Sequence, residues 1–386
     1  MRIDRPPSPA PKQDANLLDL TGADAALTAA DRDTLSHLLH RGIGENTLRA
    51  IRSDLGYLEA WSRAATGHPL DWPPRPDAVL RFIAHHLWDP DEKARDPGHG
   101  MPDPVREALG AADVLRSSGP HAPATVHRRM ASWRRLCRLK SVEGPFLEPE
   151  IQSTLRAAVK ASTRERGRHS KRVVDTELAT RLLDHLDRLA RTHPGGDRET
   201  SGIRLRALRD RALIATMFAS GGRRRSEISN LMCGQVLRLE DLGAGEGVPI
   251  TSVGLKLGRT KTTDMGDDAR VFLSGRAAEA LLAWIEAADI SAGPVFLRID
   301  RWGTVFETGI APGAVNAVLK ARVGEIGEDP RDFSAHGVRA GYITSALKEG
   351  IPAPEVMEQT LHRSMDTLMG YFKNEKQREG RAARLL

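Results

Sequence analysis

The chain has 386 residues, more than one compact core usually serves, so two domains are expected. A hydrophobic content of 40% is ordinary for a globular protein, and a net charge of +6 points to a polyanionic partner, with nucleic acid ahead of a membrane surface. Two cysteines, Cys137 and Cys233, stand in no metal-ligand or redox pair. No apolar run approaches the roughly 20 residues of a membrane span, and the charged, Pro-rich start lacks an apolar signal core, so the cytoplasm is the expected location.

Residues 1–28 read as a flexible tail, with Pro6, Pro7, Pro9 and Pro11 followed by small residues. A first helical stripe runs through Leu35, Leu38 and Leu39 and stops near Gly42 and Gly44. The next opens at Asn46 or Thr47 and spaces Leu48, Ile51, Leu55, Leu58 and Trp61 for one face. A third carries Val79, Leu80, Ile83 and Leu87. Residues 88–123 are rich in Pro, Gly and Asp and read mostly as loop.

The helix expected over 125–140 pairs an apolar stripe (Val126, Met130, Trp133, Cys137) with Arg128, Arg129, Arg134, Arg135, Arg138 and Lys140, and contains no acidic residue. One core face and one basic face suit DNA backbone, although a solvated surface helix has the same pattern. Ile151, Leu155 and Val159 mark one more helix, completing a helical domain over 29–161. Residues 162–173 are polar and basic and read as a linker lying along phosphates through Arg164, Arg166, Arg168, Lys171 and Arg172.

The remainder, 174–386, is mixed. Helices are expected near 175–191, 203–219, 275–288, 312–324, 337–348 and 353–360, and again around Tyr371. Two strands are expected at 252–257 and 270–273, joined by a Gly/Thr/Asp-rich turn. Asp264, Asp267 and Asp268, with Gly266 among them, read as turn residues and not as a metal cluster. No phosphate-binding loop and no dinucleotide fingerprint occurs, so nucleotide chemistry has no support and no cofactor is expected.

Four polar segments stand out here. Gly221-Gly222-Arg223-Arg224-Arg225-Ser226-Glu227-Ile228 follows an apolar helix. Gly258-Arg259-Thr260-Lys261-Thr262 sits in the strand–strand turn. His336-Gly337-Val338-Arg339 opens a helix. His362-Arg363-Ser364 stands nine residues before Tyr371. Singly, each has an ordinary reading: a solvated cluster, a turn lysine, a helix-start pair, core residues with satisfied tips.

Taken together, Arg-x-Ser-Glu, a turn lysine, His-x-x-Arg and His followed by Tyr resemble the tyrosine recombinase (phage integrase) family, most of all its Cre-type simple members. The resemblance covers about residues 205–386. It implies a mainly α fold with a small β-sheet, in which an N-terminal helical (SAM-like) core-binding domain and a C-terminal α+β catalytic domain form a C-shaped clamp on DNA. It also implies a metal- and ATP-free enzyme, a homotetramer on synapsed double-stranded DNA, and an exchange helix near 373–386. Any accessory directionality factor is unknown.

The resemblance makes Arg224, three before Glu227, the first catalytic arginine, with Glu227 orienting it; Arg223 and Arg225 stay open as alternatives. Lys261 becomes the general acid (Lys256 is a second candidate), His336 and Arg339 the paired box, His362 the second histidine and Tyr371 the nucleophile. Arg259 joins the DNA contacts. The chemistry suits these side chains. Attack on a phosphodiester builds charge on nonbridging oxygens, which fixed guanidinium forks can bind. The 5′-oxygen leaves well only when protonated. Tyr57, beside an apolar stripe, reads as core, and Tyr342 lies about 120° around the helix from His336, leaving Tyr371. Thr360-Leu361 replace the family's usual Leu-Gly before the second His. The competing readings are a type IB topoisomerase-like nicking-closing enzyme, a decayed DNA-binding protein, and a metal-dependent transposase.

Overall fold

The computed structural model describes residues 37, 42–43, 45–115, 117, 119–164, 170–243, 248–257, 269–300 and 302–371. The chain divides into two compact units, Met1–Gly167 and Arg168–Leu386. The first is helical: α1 (Glu45–Thr66), α2 (Pro76–His86), α3 (Pro90–Arg95), α4 (Asp103–Ala111), α5 (Pro123–Leu139) and α6 (Pro149–Ala161). Its core follows the stripes of the sequence. Leu58 and Trp61 of α1 are buried with Val79, Phe82 and Ile83 of α2 and Val126, Met130 and Trp133 of α5, and Leu48 and Ile51 of α1 are buried too. The Trp61 and Phe82 rings meet edge to face with centroids 5.0 Å apart, and Phe82 meets Trp133 at 5.9 Å, the geometry that the ring quadrupoles favour.

The segment expected as loop, 88–123, contains two short helices, α3 and α4. Asp89 caps α3 by accepting from Asp91 N, and Pro90 takes the first helical position, where a missing N–H costs nothing. In α4, Val105 and Leu109 reach the core. Prolines and aspartates that read as breakers are helix starters here.

The basic face of α5 also needs correction. Arg129 is mostly buried: its guanidinium lies 3.2 Å over the Tyr57 ring and donates to His121 Nδ1 at 2.9 Å. Asp54, 1% exposed, accepts from Arg128 Nη1 at 2.6 Å and Ser132 Oγ at 2.8 Å. A carboxylate from α1 therefore offsets charge that the α5 sequence alone leaves unopposed. Tyr57 Oη is 2.7 Å from His86 Nε2, and His86 Nδ1 is 2.5 Å from Phe82 O. Nδ1–H donates to that carbonyl, so Nε2 accepts from the phenol and the imidazole is neutral.

The second unit packs α7 (Thr176–Thr192) and α10 (Arg276–Ala287) on the long α8 (Arg198–Ala219). Asp197 caps α8, accepting from Glu199 N and Thr200 N at 2.8 Å each. A short α9 (Arg225–Ser229) follows. Strands β1 (Val236–Arg238), β2 (Ser252–Lys256) and β3 (Arg270–Ser274) form an antiparallel sheet in that order, with Val253 opposite Leu273 and Leu255 opposite Val271 turned to the core. β4 (Leu297–Ile299) and β5 (Val305–Gly309) make a second, bulged hairpin. Three of these five strands were not expected; each spans three to five residues, too short for a period-2 signal. α11 (Pro312–Glu325), α12 (Ala335–Lys348), α13 (Ala353–Thr360) and α14 (Met365–Met369) complete the described unit. No helix among the described residues is long and apolar enough to cross a membrane.

Candidate active site

The site begins where α8 ends. Gly221 and Gly222 take φ of +85° and +69°, and the reason is space as well as angle. A Cβ on Gly221 would stand 2.4 Å from Gln359 O, and one on Gly222 would stand 2.2 Å from Arg339 Cα. This turn brings the arginine triplet against α12 and α13. Arg224 caps α9. Glu227 accepts from Arg224 N at 3.2 Å and from its Nη1 at 2.6 Å, leaving the side chain 40% exposed and oriented. Arg225 is exposed. Arg223 is 3% exposed and engaged with backbone: Nε donates to Ser220 O and Nη2 to Gln359 O, each at 2.9 Å. Of the three, Arg224 alone is both oriented by a carboxylate and open at its tip.

Ser334 caps α12, placing His336 on the exposed side of the first turn and Arg339 one turn on, inside. Arg339 Nη2 donates to Thr360 O at 2.7 Å and lies 3.1 Å from His362 Nε2; Nη1 reaches Gly221 O and Gly222 O at 3.4 Å. Burial pulls the Arg339 pKa down from the usual arginine range, while Tyr371 beside it pushes the other way. It stays a cation at any working pH.

α13 ends on Leu361 in the left-handed conformation, φ +54° and ψ +44°. A leucine thus makes the turn for which glycine is the usual residue. His362 follows, with Nδ1 2.7 Å from Thr360 Oγ1, which itself donates to Val356 O at 2.6 Å. Nδ1 therefore carries the hydrogen, and Nε2 accepts from Arg339. Burial first, and then Arg339, Arg223 and Arg224, lower the His362 pKa to about 4. Ser364 caps α14, and Tyr371 comes two residues after that helix ends. Its ring centroid lies 6.1 Å from that of His336 and 5.8 Å from that of His362.

Arg224, Glu227, His336, Arg339, His362 and Tyr371 thus meet around one spot, drawn from four segments. Lys261 and Arg259 lie outside the described residues, as do Arg166, Arg168, the tail 1–28 and the helix expected at 373–386. Lys256 is exposed at the end of β2. The other tyrosines are engaged: Tyr57 is core, and Tyr342 packs edge to face on Phe218 at 5.6 Å. Among the expected DNA contacts, Arg135 and Arg138 are exposed and Arg134 is half-buried. Arg164 bonds Pro120 O, Lys171 is 3.6 Å from Asp332, and Arg172 pairs with Glu328. Sequence reasoning missed Gln359 and the inward role of Arg223; neither carries a local signal.

No family model matches the chain. A curated relative, an integrase/recombinase xerD homolog of Selenomonas ruminantium, is 29% identical over 345 residues, covering 87% of this chain and 83% of the relative. Among solved structures, XerH site-specific recombinase bound to palindromic difH substrate aligns with a TM-score of 0.47 and 13% identity over 93% of this chain and 85% of that one. The Tn1549 transposon integrase in complex with circular intermediate DNA aligns with a TM-score of 0.43 and 12% identity over 96% and 99%. The boxes stand in the order of the tyrosine recombinases, and the chain is similar along most of its length to a relative named as an integrase/recombinase.

Proposed function

We propose that this protein is a site-specific DNA recombinase that cuts and rejoins strands through a 3′-phosphotyrosine on Tyr371. The observation that carries this reading is Tyr371 held beside Arg339 between two imidazoles, with Arg224 brought to the same spot on Glu227.

In this mechanism Tyr371 Oη attacks the scissile phosphorus and the bond from phosphorus to the 5′-oxygen breaks. Arg224 and Arg339 hold the nonbridging oxygens, offsetting the charge that develops there. His336 takes the phenol proton, Lys261 protonates the departing 5′-oxygen, and His362, protonated at Nε2 once the phosphate is bound, donates to a phosphate oxygen. One phosphodiester replaces another, so a second 5′-hydroxyl can reverse the step without ATP. The residues 29–161 form the core-binding domain, 162–173 the linker and 174–386 the catalytic domain, with 373–386 exchanged between four protomers on two duplexes.

A nicked suicide site tests the chemistry: wild type should accumulate a covalent protein–DNA adduct and Tyr371→Phe none. An adduct in the variant overturns the assignment. Recombinant products from two marked sites, as opposed to relaxation alone, separate this reading from a nicking-closing enzyme.

A further inference from the structure

One side chain outside the six catalytic positions ties its own segment to two others at the site. Gln359 Nε2 donates to Ala219 O and to Phe272 O, each at 2.7 Å. Ala219 ends α8, just before the glycine turn that delivers Arg224. Phe272 lies on β3. Gln359 itself stands three residues before His362. Two carbonyls facing the same amide group fix its orientation, because the flipped amide would set oxygen against oxygen.

The backbone of Gln359 is held as well. Its carbonyl accepts from Arg223 Nη2 at 2.9 Å, and Arg223 Nε returns to Ser220 O at 2.9 Å. The close approach needs Gly221, whose missing Cβ would otherwise meet that carbonyl. Arg223 also reaches Glu227 Oε2 at 3.9 Å, so the carboxylate that orients Arg224 faces a second cation. Satisfying the last carbonyls of α13 requires only the donors from Arg223 and Arg339. Contacts running on to β3 and to the end of α8 exceed what capping one helix demands.

We propose that Gln359 and Arg223 are positioning residues that hold the Arg224 turn, strand β3 and His362 in one register around the scissile phosphate. Neither touches the reacting atoms. The proposal rests on the strand-cleavage reading above. Loss of either tether lets the Arg224 turn and His362 move independently, which weakens the grip on the nonbridging oxygens.

The test compares Gln359→Leu, Arg223→Met and wild type in full-length protein. Single-turnover adduct formation is followed on a nicked site carrying either an ordinary scissile phosphodiester or a methylphosphonate. The methyl group removes the charge that the two guanidiniums bind, so precise placement of those guanidiniums matters less there. Both variants should be roughly 10- to 100-fold slower than wild type on the phosphodiester, a loss typical of misplacement by about an ångström. On the methylphosphonate the deficit should shrink to about threefold, with DNA affinity little changed, and Arg223→Lys should recover part of the rate. Equal deficits on both substrates, or no deficit on either, overturn the positioning role. A variant that melts far below wild type is replaced by Gln359→Met, which keeps the length and lacks the donors. Absence of an adduct with wild type on either substrate would instead refute the role of Tyr371.

Discussion

Acidification should unlock the first unit through two neutral histidines. His86 is fully buried, with burial and then the nearby His121 holding its pKa well below the ordinary value. His121 is lowered to about 3, by burial first and then by Arg129 and Arg164. In the unfolded chain both titrate near about 6.5. The folded state therefore binds fewer protons, and the stability these groups carry is complete above pH 6.5 and lost as pH falls below it. At pH 5.5 each group favours the unfolded chain by RT ln 11, about 1.4 kcal/mol, or about 3 kcal/mol for the pair. Against a typical 5–15 kcal/mol of domain stability this is a large loss. Urea melts followed by tryptophan fluorescence should move by about 1 M or more between pH 8 and pH 5.5. Hydrogen exchange on α5 peptides assigns the change to this unit, with α8 as the internal reference. His121→Gln, which keeps an acceptor for Arg129, should halve the shift. If the melts coincide at the two pH values, or the variant shifts as much as wild type, the buried imidazoles do not titrate as argued.

Other expectations follow from the second unit. Glu227→Gln leaves Arg223 and Arg224 facing a neutral amide and should slow single-turnover cleavage by about 10- to 100-fold, the worth of a charge-assisted hydrogen bond; a rate within twofold of wild type would contradict the orienting role. His362 should titrate near pH 4 in the free protein by NMR, and its pKa should rise in Tyr371→Phe bound to a nicked site, because the phosphate favours the imidazolium. An unchanged titration would mean that the phosphate does not reach it. Leu361→Gly removes a left-handed leucine and should leave the thermal midpoint level or higher, the relief of about 1 kcal/mol offsetting lost packing, whereas Leu361→Val should lower it.

The candidate boxes that the structure brings together were legible because each depends on local chemistry: a carboxylate three residues from an arginine, a histidine and an arginine one turn apart, a tyrosine beyond a helix break. Core stripes were legible for the same reason, since Leu48, Ile51, Leu58 and Trp61, and likewise Val126, Met130 and Trp133, all buried at helical spacing, encode their faces within a single helix. What escaped depends on distant partners. The α5 arginines read as one basic face because Asp54 stands 74 residues before Arg128. Gln359 reads as an ordinary helical glutamine because Ala219 and Phe272 are 140 and 87 residues away. Leu361 was flagged only as a departure from glycine; the left-handed turn survives the substitution because packing and the Arg339 and Thr360 contacts over-determine it.

These contacts also explain how the site tolerates so much positive charge. Among the described residues, Arg223, Arg224 and Arg339 converge with one carboxylate, Glu227, between them. Backbone carbonyls supply the remaining negative ends: Ser220 and Gln359 for Arg223, and Gly221, Gly222 and Thr360 for Arg339. Carbonyl dipoles hold a guanidinium in place without cancelling its charge, whereas further carboxylates would neutralise it and repel the phosphate. A phosphate entering the site therefore meets two guanidiniums already oriented and still charged. The 3.4 Å contacts of Arg339 Nη1 are the weakest in the set, so that nitrogen is the one most readily turned from the glycine carbonyls to a nonbridging oxygen.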